Sequence, residues 1–213
     1  MQGPFAASDD SQSESEGLWF VYLFALYDCS TFKIGFSCNP LRRLCSFSPR
    51  FHERFDLHES RLLRVDSCES ARRIESILKA EFSSANAVCP SWLPKAAGGH
   101  TEWFSAVYLG EATTRLVSFA SDNAGSIASA AETLRQDLLE RRRDFETWSV
   151  SVAQQLNVTP GALDCARQEA GLARTLRDWL DIHRALNVPI FQEQIDEGAF
   201  VREIHHVYSR LQY

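Results

Sequence analysis

The longest apolar run of this 213-residue chain is Leu18 to Tyr27, a stretch crowded with aromatic side chains. It is strand-length, well below the roughly 18 apolar residues that a membrane-spanning helix needs. Asp28-Cys29-Ser30 follows with turn chemistry, and Thr31 to Phe36 resumes the apolar pattern. Together these residues predict a β-hairpin. An apolar hairpin is marginal on its own and needs more strands or a covering layer of helices.

The downstream sequence supplies both. Asn39-Pro40 is an N-cap followed by a first-turn proline, so a short helix is expected from Pro40 to about Phe47, ending near Pro49. Arg61 to Val65 reads as a third strand. Asp66, with Glu69 three residues on, predicts the start of a helix whose apolar face carries Ala71, Ile74, Ile77, Leu78 and Phe82, with Glu75 on the edge of that face. Ser83 to His100, with Pro90, Pro94 and Gly98-Gly99, is a long loop, and Thr101 to Phe104 returns to the core. Between Phe104 and Pro160 there is no proline, and Leu134, Leu138, Phe145, Trp148, Val152 and Leu156 recur at helical steps, which predicts one or two long amphipathic helices. Further helices are expected over about 161–186 and 191–211. The fold class is therefore α+β: a small, mostly antiparallel sheet flanked by helices, followed by an all-helical C-terminal module. The expected division is an acidic disordered tail over 1–17, an α+β domain over 18–105 and a helical module over 106–213.

Charge is distributed unevenly. Lys plus Arg minus Asp plus Glu is 0 − 4 over residues 1–17, 11 − 9 over 18–105 and 11 − 15 over 106–213. The excess negative charge thus lies outside the sheet segment, which leaves a local basic cleft compatible with a net charge of −6. The polar start has no apolar core of a signal peptide, and a cytoplasmic location without membrane contact is expected. Six cysteines without a C-x-x-C pair predict reduced, mostly buried thiols and neither a zinc ribbon nor a thioredoxin-like site.

Four residues carry the chemical signal. Tyr22 precedes Lys33-Ile34-Gly35, Arg43 stands eight residues beyond that glycine, and Glu75 lies on the second expected helix. A phenol, an amine, a guanidinium and one carboxylate suit phosphodiester hydrolysis, with the carboxylate holding one hard divalent cation. Each also has a plain structural reading. Tyr22 suits a sheet core, Lys33 a solvated strand, Arg43 open solvent, and Glu75 an ion pair with Arg43 or Arg72. Arg42 is the alternative to Arg43 if the helix register shifts by one. His52 and His58 could assist proton transfer or simply lie on the surface, and His205-His206 face different ways on a helix.

Phe20-Val21-Tyr22, Lys33-Ile34-Gly35, the Asn39 to Leu44 segment with Arg43, Glu75 and Glu102-Trp103-Phe104 together resemble the GIY-YIG nuclease superfamily, in the subgroup whose second triplet reads K-I-G and whose domain closes with E-W-F. The resemblance covers about residues 18–105. It implies a Mg²⁺-dependent (or Mn²⁺-dependent) endonuclease acting on DNA, with Tyr22, Lys33, Arg43 and Glu75 as catalytic residues and Glu75 as the metal ligand. In that implied mechanism Tyr22 takes or relays the proton of the attacking water, Lys33 holds the phenol, Arg43 stabilises the phosphate and Glu75 binds the metal. Two positions depart from the family pattern: Phe20 replaces a glycine and Lys33 a tyrosine. The alternative is a nuclease-fold module that binds nucleic acid or protein without cutting.

In the C-terminal part, Val152 to Leu163 has the outline of a helix-turn-helix, with Arg167 and Gln168 facing potential bases but Asp164 and Glu169 beside them. Arg141-Arg142-Arg143 reads as a solvated helix face. The apolar stripe through Leu134, Leu138, Phe145 and Trp148 has to bury against other helices or a second copy, and the second of these would make a homodimer through these helices.

Overall fold

The computed structural model describes residues 18–122, 125–158 and 163–190, with main chain alone over 157–158 and 163–169. The expected tail over 1–17, the helix over 191–211 with His205-His206, and the side chains of Asp164, Arg167, Gln168 and Glu169 lie outside what is described. The chain divides into two compact units, the first ending at Leu134 and the second running on from Arg135.

The first unit is built on the predicted hairpin. Strand β1 (Trp19–Leu26) pairs antiparallel with β2 (Thr31–Ser37), with Tyr22 opposite Gly35 and Phe24 opposite Lys33. The turn works because the Asp28 carboxylate accepts from the Ser30 amide and hydroxyl, while Cys29 adopts the left-handed φ of 52°. Helix α1 (Pro40–Phe47) starts where its sequence predicts, with the Asn39 side chain accepting from the Arg42 amide. Strand β3 (Phe55–Val65) is longer than expected and pairs with the other side of β1. A register shift between Leu23 and Ala25 accommodates it, and the Ala25 amide donates there to buried Ser60.

Helix α2 (Cys68–Glu81) is capped by Ser67 rather than Asp66: the Ser67 hydroxyl accepts from the Ser70 amide. Strand β4 (Trp103–Ser105) pairs with β2. Two further elements belong to this unit, helix α3 (Leu109–Asp122) and strand β5 (Ser126–Ser129), the latter paired with β3. The sequence assigned both to a long helical stretch. Gly125 allows the reversal between them, since a Cβ there would press on the Arg64 carbonyl. The result is a five-stranded antiparallel sheet in the order β4-β2-β1-β3-β5.

Strand alternation gives the sheet two different faces. Val21, Leu23, Phe32, Ile34, Leu63 and Phe104 point to one side, where α2 and α3 cover them with Ala71, Ile74, Leu78, Ala112, Leu116 and Phe119. Tyr22 and Phe24 point to the other, where their rings stack at 4.1 Å and Phe24 meets Phe55 edge-on. That second face receives α1 and carries the polar residues discussed below.

The second unit holds the rest of α4 (Ala130–Glu140), α5 (Arg142–Val158) and α6 (Leu163–Ala185). The apolar stripe of α5 is buried within this chain: Phe145, Val152 and Ala153 pack on Leu172, Leu176 and Leu180 of α6. Arg141 and Arg142 make i,i+4 pairs with Asp137 and Glu146, and the Arg142–Glu146 pair is largely buried rather than on a solvated face. The turn of the expected helix-turn-helix, 159–162, lies outside the described residues; the helix before it, α5, has 17 residues and the helix after it, α6, has 23. None of the five cysteines with described side chains is buried, because they occupy a turn, helix ends and a loop rather than core positions. No helix among the described residues is long and apolar enough to cross a membrane.

His183 is the polar group this core keeps dry. It stacks on Phe145 at 4.0 Å, and its Nδ1 lies 2.8 Å from the Trp179 carbonyl. Burial pushes its pKa down to about 4. The unfolded chain, titrating near 6.5, therefore takes up a proton that the folded helices refuse, so His183 stabilises above pH 6.5 and this contribution disappears as pH falls towards 4. The expected result is a melting temperature of the helical unit that falls from pH 7 to pH 4, with a visibly flatter profile for His183→Leu.

Candidate active site

Tyr22 is the centre of the polar face. Its ring is 1% exposed and lies flat over Gly35, its cross-strand partner. A Cβ at position 35 would overlap the phenol oxygen, Cζ and Cε2, so the glycine of the K-I-G triplet is the floor of the tyrosine pocket. Arg43 approaches from α1. Its Nε donates to the phenol at 3.3 Å and its Nη1 donates to the Ala97 carbonyl at 2.7 Å and to Ser46 at 3.4 Å. The guanidinium rests 4.4 Å from the ring centroid of Phe47, one helical turn along. Arg42 is exposed on the other side of this helix, so the register that faces the sheet is that of Arg43.

Burial pushes the Tyr22 phenol up to about 12, against the pull of the Arg43 charge and hydrogen bond. The phenol is thus protonated at neutral pH, and Arg43, not Lys33, is the cation that touches it.

Lys33 is fully buried, which a solvated strand lysine would not be. Its ammonium donates to the Gly99 carbonyl at 2.6 Å and to Glu102 Oε2 at 3.0 Å, between the rings of Trp103 and Phe47. Burial holds its pKa below the ordinary lysine value, with Glu102 opposing. Glu75 is 7% exposed on α2, and its Oε1 lies 3.4 Å from Lys79 Nζ. Its ion pair is thus with Lys79, one turn along its own helix, in place of the Arg43 or Arg72 considered from the sequence; Arg72 instead lies over the Phe36 ring. Burial raises the Glu75 carboxyl above its ordinary value, and Lys79 only partly offsets this.

The four residues sit in one electrostatic neighbourhood. Tyr22 contacts Arg43 directly and feels the charges of Glu75 and Glu102, while Glu75 feels the charges of Lys79, Glu102 and Lys33. Lys79 and Glu102 are the members absent from the sequence-derived set. The four-residue step from Glu75 to Lys79 was a legible ion-pair signal, and Glu102 was visible only as part of the closing Glu102-Trp103-Phe104 triplet. His58 is exposed on β3, and His52 packs edge-on against Phe51.

Hydrogen-bonded donors, a buried phenol and a partly buried guanidinium converge on residues contributed by β1, β2, α1, α2 and the approach to β4. Residues 19–118 match the T5orf172 domain. The T5orf172 match covers just under half of the chain and runs from β1 through most of α3, so it includes Tyr22, Lys33, Arg43, Glu75, Lys79 and Glu102 and leaves out β5 and the helical unit. Comparison with curated proteins and with solved structures gives no match.

Proposed function

We propose that the sheet unit is a DNA endonuclease that hydrolyses phosphodiester bonds with the help of a divalent cation, Mg²⁺ or Mn²⁺. The observation that carries this reading is the Arg43 guanidinium seated on the Tyr22 phenol, inside the same charge cluster as Glu75. The T5orf172 match and the likeness of the motifs to the GIY-YIG nucleases support it.

Arg43 is partly buried and uses Nε and Nη1 for the phenol, Ser46 and Ala97, which fixes the plane of the guanidinium. Its Nη2 edge then meets a phosphate oxygen, where a rigid planar cation stabilises the extra charge of the pentacovalent phosphate. Tyr22 accepts the proton of the attacking water only by way of its phenolate, and Arg43 is the residue whose charge makes that ionisation less costly. Lys33 stays behind them as a buried positive charge.

The donor chemistry around Glu75 fits a hard cation. Among the described residues no three His, Cys, Asp or Glu side chains converge into a cage, and Mg²⁺ needs only one or two carboxylates because it keeps most of its waters. Glu75 would hold the ion, displacing the Lys79 ammonium now 3.4 Å away, and the ion would act as Lewis acid on the leaving oxygen. The helical unit adds affinity or assembly.

The test is nicking of supercoiled plasmid with Mg²⁺, the parent beside Arg43→Lys and Arg42→Lys. Arg43→Lys is expected to lose roughly ten-fold or more, because a point charge cannot keep the phenol, the Ala97 carbonyl and a phosphate oxygen together. Arg42→Lys should cut like the parent. Plasmid that is bound but never cut would favour the alternative, a nuclease-fold module that binds without hydrolysis.

A further inference from the structure

We propose that Glu102 is a positioning residue of this site, a carboxylate that holds the Lys33 and Lys79 ammonium groups in place without touching substrate. The proposal rests on the nuclease reading above. Glu102 stands at the end of the long loop, one residue before β4, and its carbonyl accepts from the Ile34 amide at 3.2 Å, which pins it beside β2. Its two oxygens go to two different cations. Oε2 takes Lys33 Nζ at 3.0 Å and Oε1 takes Lys79 Nζ at 3.0 Å, and Lys79 then reaches Glu75 Oε1 at 3.4 Å. One carboxylate therefore sets both the buried amine beneath the phenol pocket and the partner of Glu75.

The surroundings are built for this arrangement. Gly99, at a φ of +67°, brings its carbonyl onto Lys33, and a Cβ there would crowd both the Lys33 ammonium and Glu102 Oε2. The Lys33 ammonium lies against the Trp103 and Phe47 rings and its side chain is fully buried, so Lys33 has no route to water that would replace a lost partner.

The charges around Lys33 show what Glu102 controls. Burial drives the amine towards its neutral form, Arg43 on α1 pushes the same way, and Glu102 is the largest opposing influence, with Cys89 of the loop adding a smaller one. Glu75 on α2 also faces it. Glu102 itself is a durable anion: burial alone would raise its carboxyl, but Lys33 and Lys79 together outweigh burial and hold it below the ordinary glutamate value. Without that anion, Lys33 gives up its proton at lower pH and Lys79 is left with Glu75 alone.

The test is Glu102→Gln in the full chain, which keeps the volume and one hydrogen-bond acceptor and removes the charge. With ¹³C-labelled lysine, the Lys33 titration followed by NMR is expected to move to lower pH in the variant. Single-turnover cleavage at neutral pH should fall roughly ten-fold, in the range of a lost charge contact, and its alkaline limb should shift to lower pH. In a Lys33→Met background the same change should add much less, because one route of its action has already been removed. If Glu102→Gln does not fold, Glu102→Asp withdraws the carboxylate by one methylene and should move the Lys33 titration in the same direction by a smaller step. An unmoved Lys33 titration in either folded variant would overturn the proposal. Absence of cleavage by the parent would dispose of the nuclease reading, and the lysine titration would still decide the role of Glu102.

Discussion

Gly35→Ala is expected to reduce DNA cleavage about a hundred-fold or more, since a misplacement of about 1 Å at a reacting group can cost that much. The added methyl has nowhere to go. It would overlap the phenol oxygen, Cζ and Cε2 of Tyr22, a ring pinned on its other side by Phe24 and capped by Arg43. Either the tyrosine leaves its pocket, separating the phenol from Arg43, or β2 shifts away from β1. Overpacking of this kind costs roughly 1–3 kcal/mol, so the melting temperature should fall as well. Combining Gly35→Ala with Tyr22→Ala should restore part of the lost stability without restoring cleavage, because the three atoms nearest the added methyl all belong to Tyr22. Parent-like cleavage and melting of Gly35→Ala would mean that the tyrosine pocket is not needed in this form.

Glu75→Gln should have a comparable effect on cleavage and the opposite effect on stability. Removal of the carboxylate charge takes away the proposed ligand, and a loss of about a hundred-fold or more is in the range of a deleted electrostatic contact to a transition state. The folded carboxyl has its pKa raised by burial above the ordinary 4.5. The sign follows directly: ionised Glu75 costs stability at neutral pH, its favourable contribution being complete below pH 4.5 and lost as pH rises through the raised value. Glutamine does not ionise. The variant should therefore melt at or above the parent temperature at pH 7 and lose that advantage as pH approaches 4. Cleavage and melting measured on the same preparations decide the matter. Retained cleavage would remove Glu75 from the metal site, and a lower melting temperature at pH 7 would show that its pairing with Lys79 outweighs burial.

What could be read from the sequence was what is fixed within a few neighbouring residues. The β1–β2 hairpin follows from two apolar runs around Asp28-Cys29-Ser30, and α1 follows from Asn39-Pro40; both lie where those signals put them. The α2 cap moved by one because the helix begins at Cys68, and Ser67 before it has the extended backbone from which a side chain can reach the third amide. Strand β5 was not legible: four residues with exposed or half-buried side chains carry almost no pattern, and their strand character exists only through pairing with β3. The same applies to the site. Tyr22, Lys33, Arg43 and Glu75 were picked out as candidates by type and spacing, but the contacts joining them depend on the β2–β4 register and on the rotation of α2 over the sheet. Neither is encoded locally, which is why the Lys79–Glu102 link and the touch of Arg43 on the phenol came only with the fold.

Strand β4 is three residues long and lies at the edge of the sheet, yet with the preceding loop it forms the lid over Lys33. Edge elements held by few hydrogen bonds fray at lower free energy than the strands they cover. Each brief detachment of Trp103 to Ser105 would let water reach an amine that is otherwise dry, and the amine would regain the ordinary basicity that burial withholds. In the alkaline window between the lowered folded value and the ordinary lysine value, breathing of this edge is therefore a proton-uptake event, and rising pH, which makes that uptake harder, tightens the sheet at the same place where it discharges the lysine.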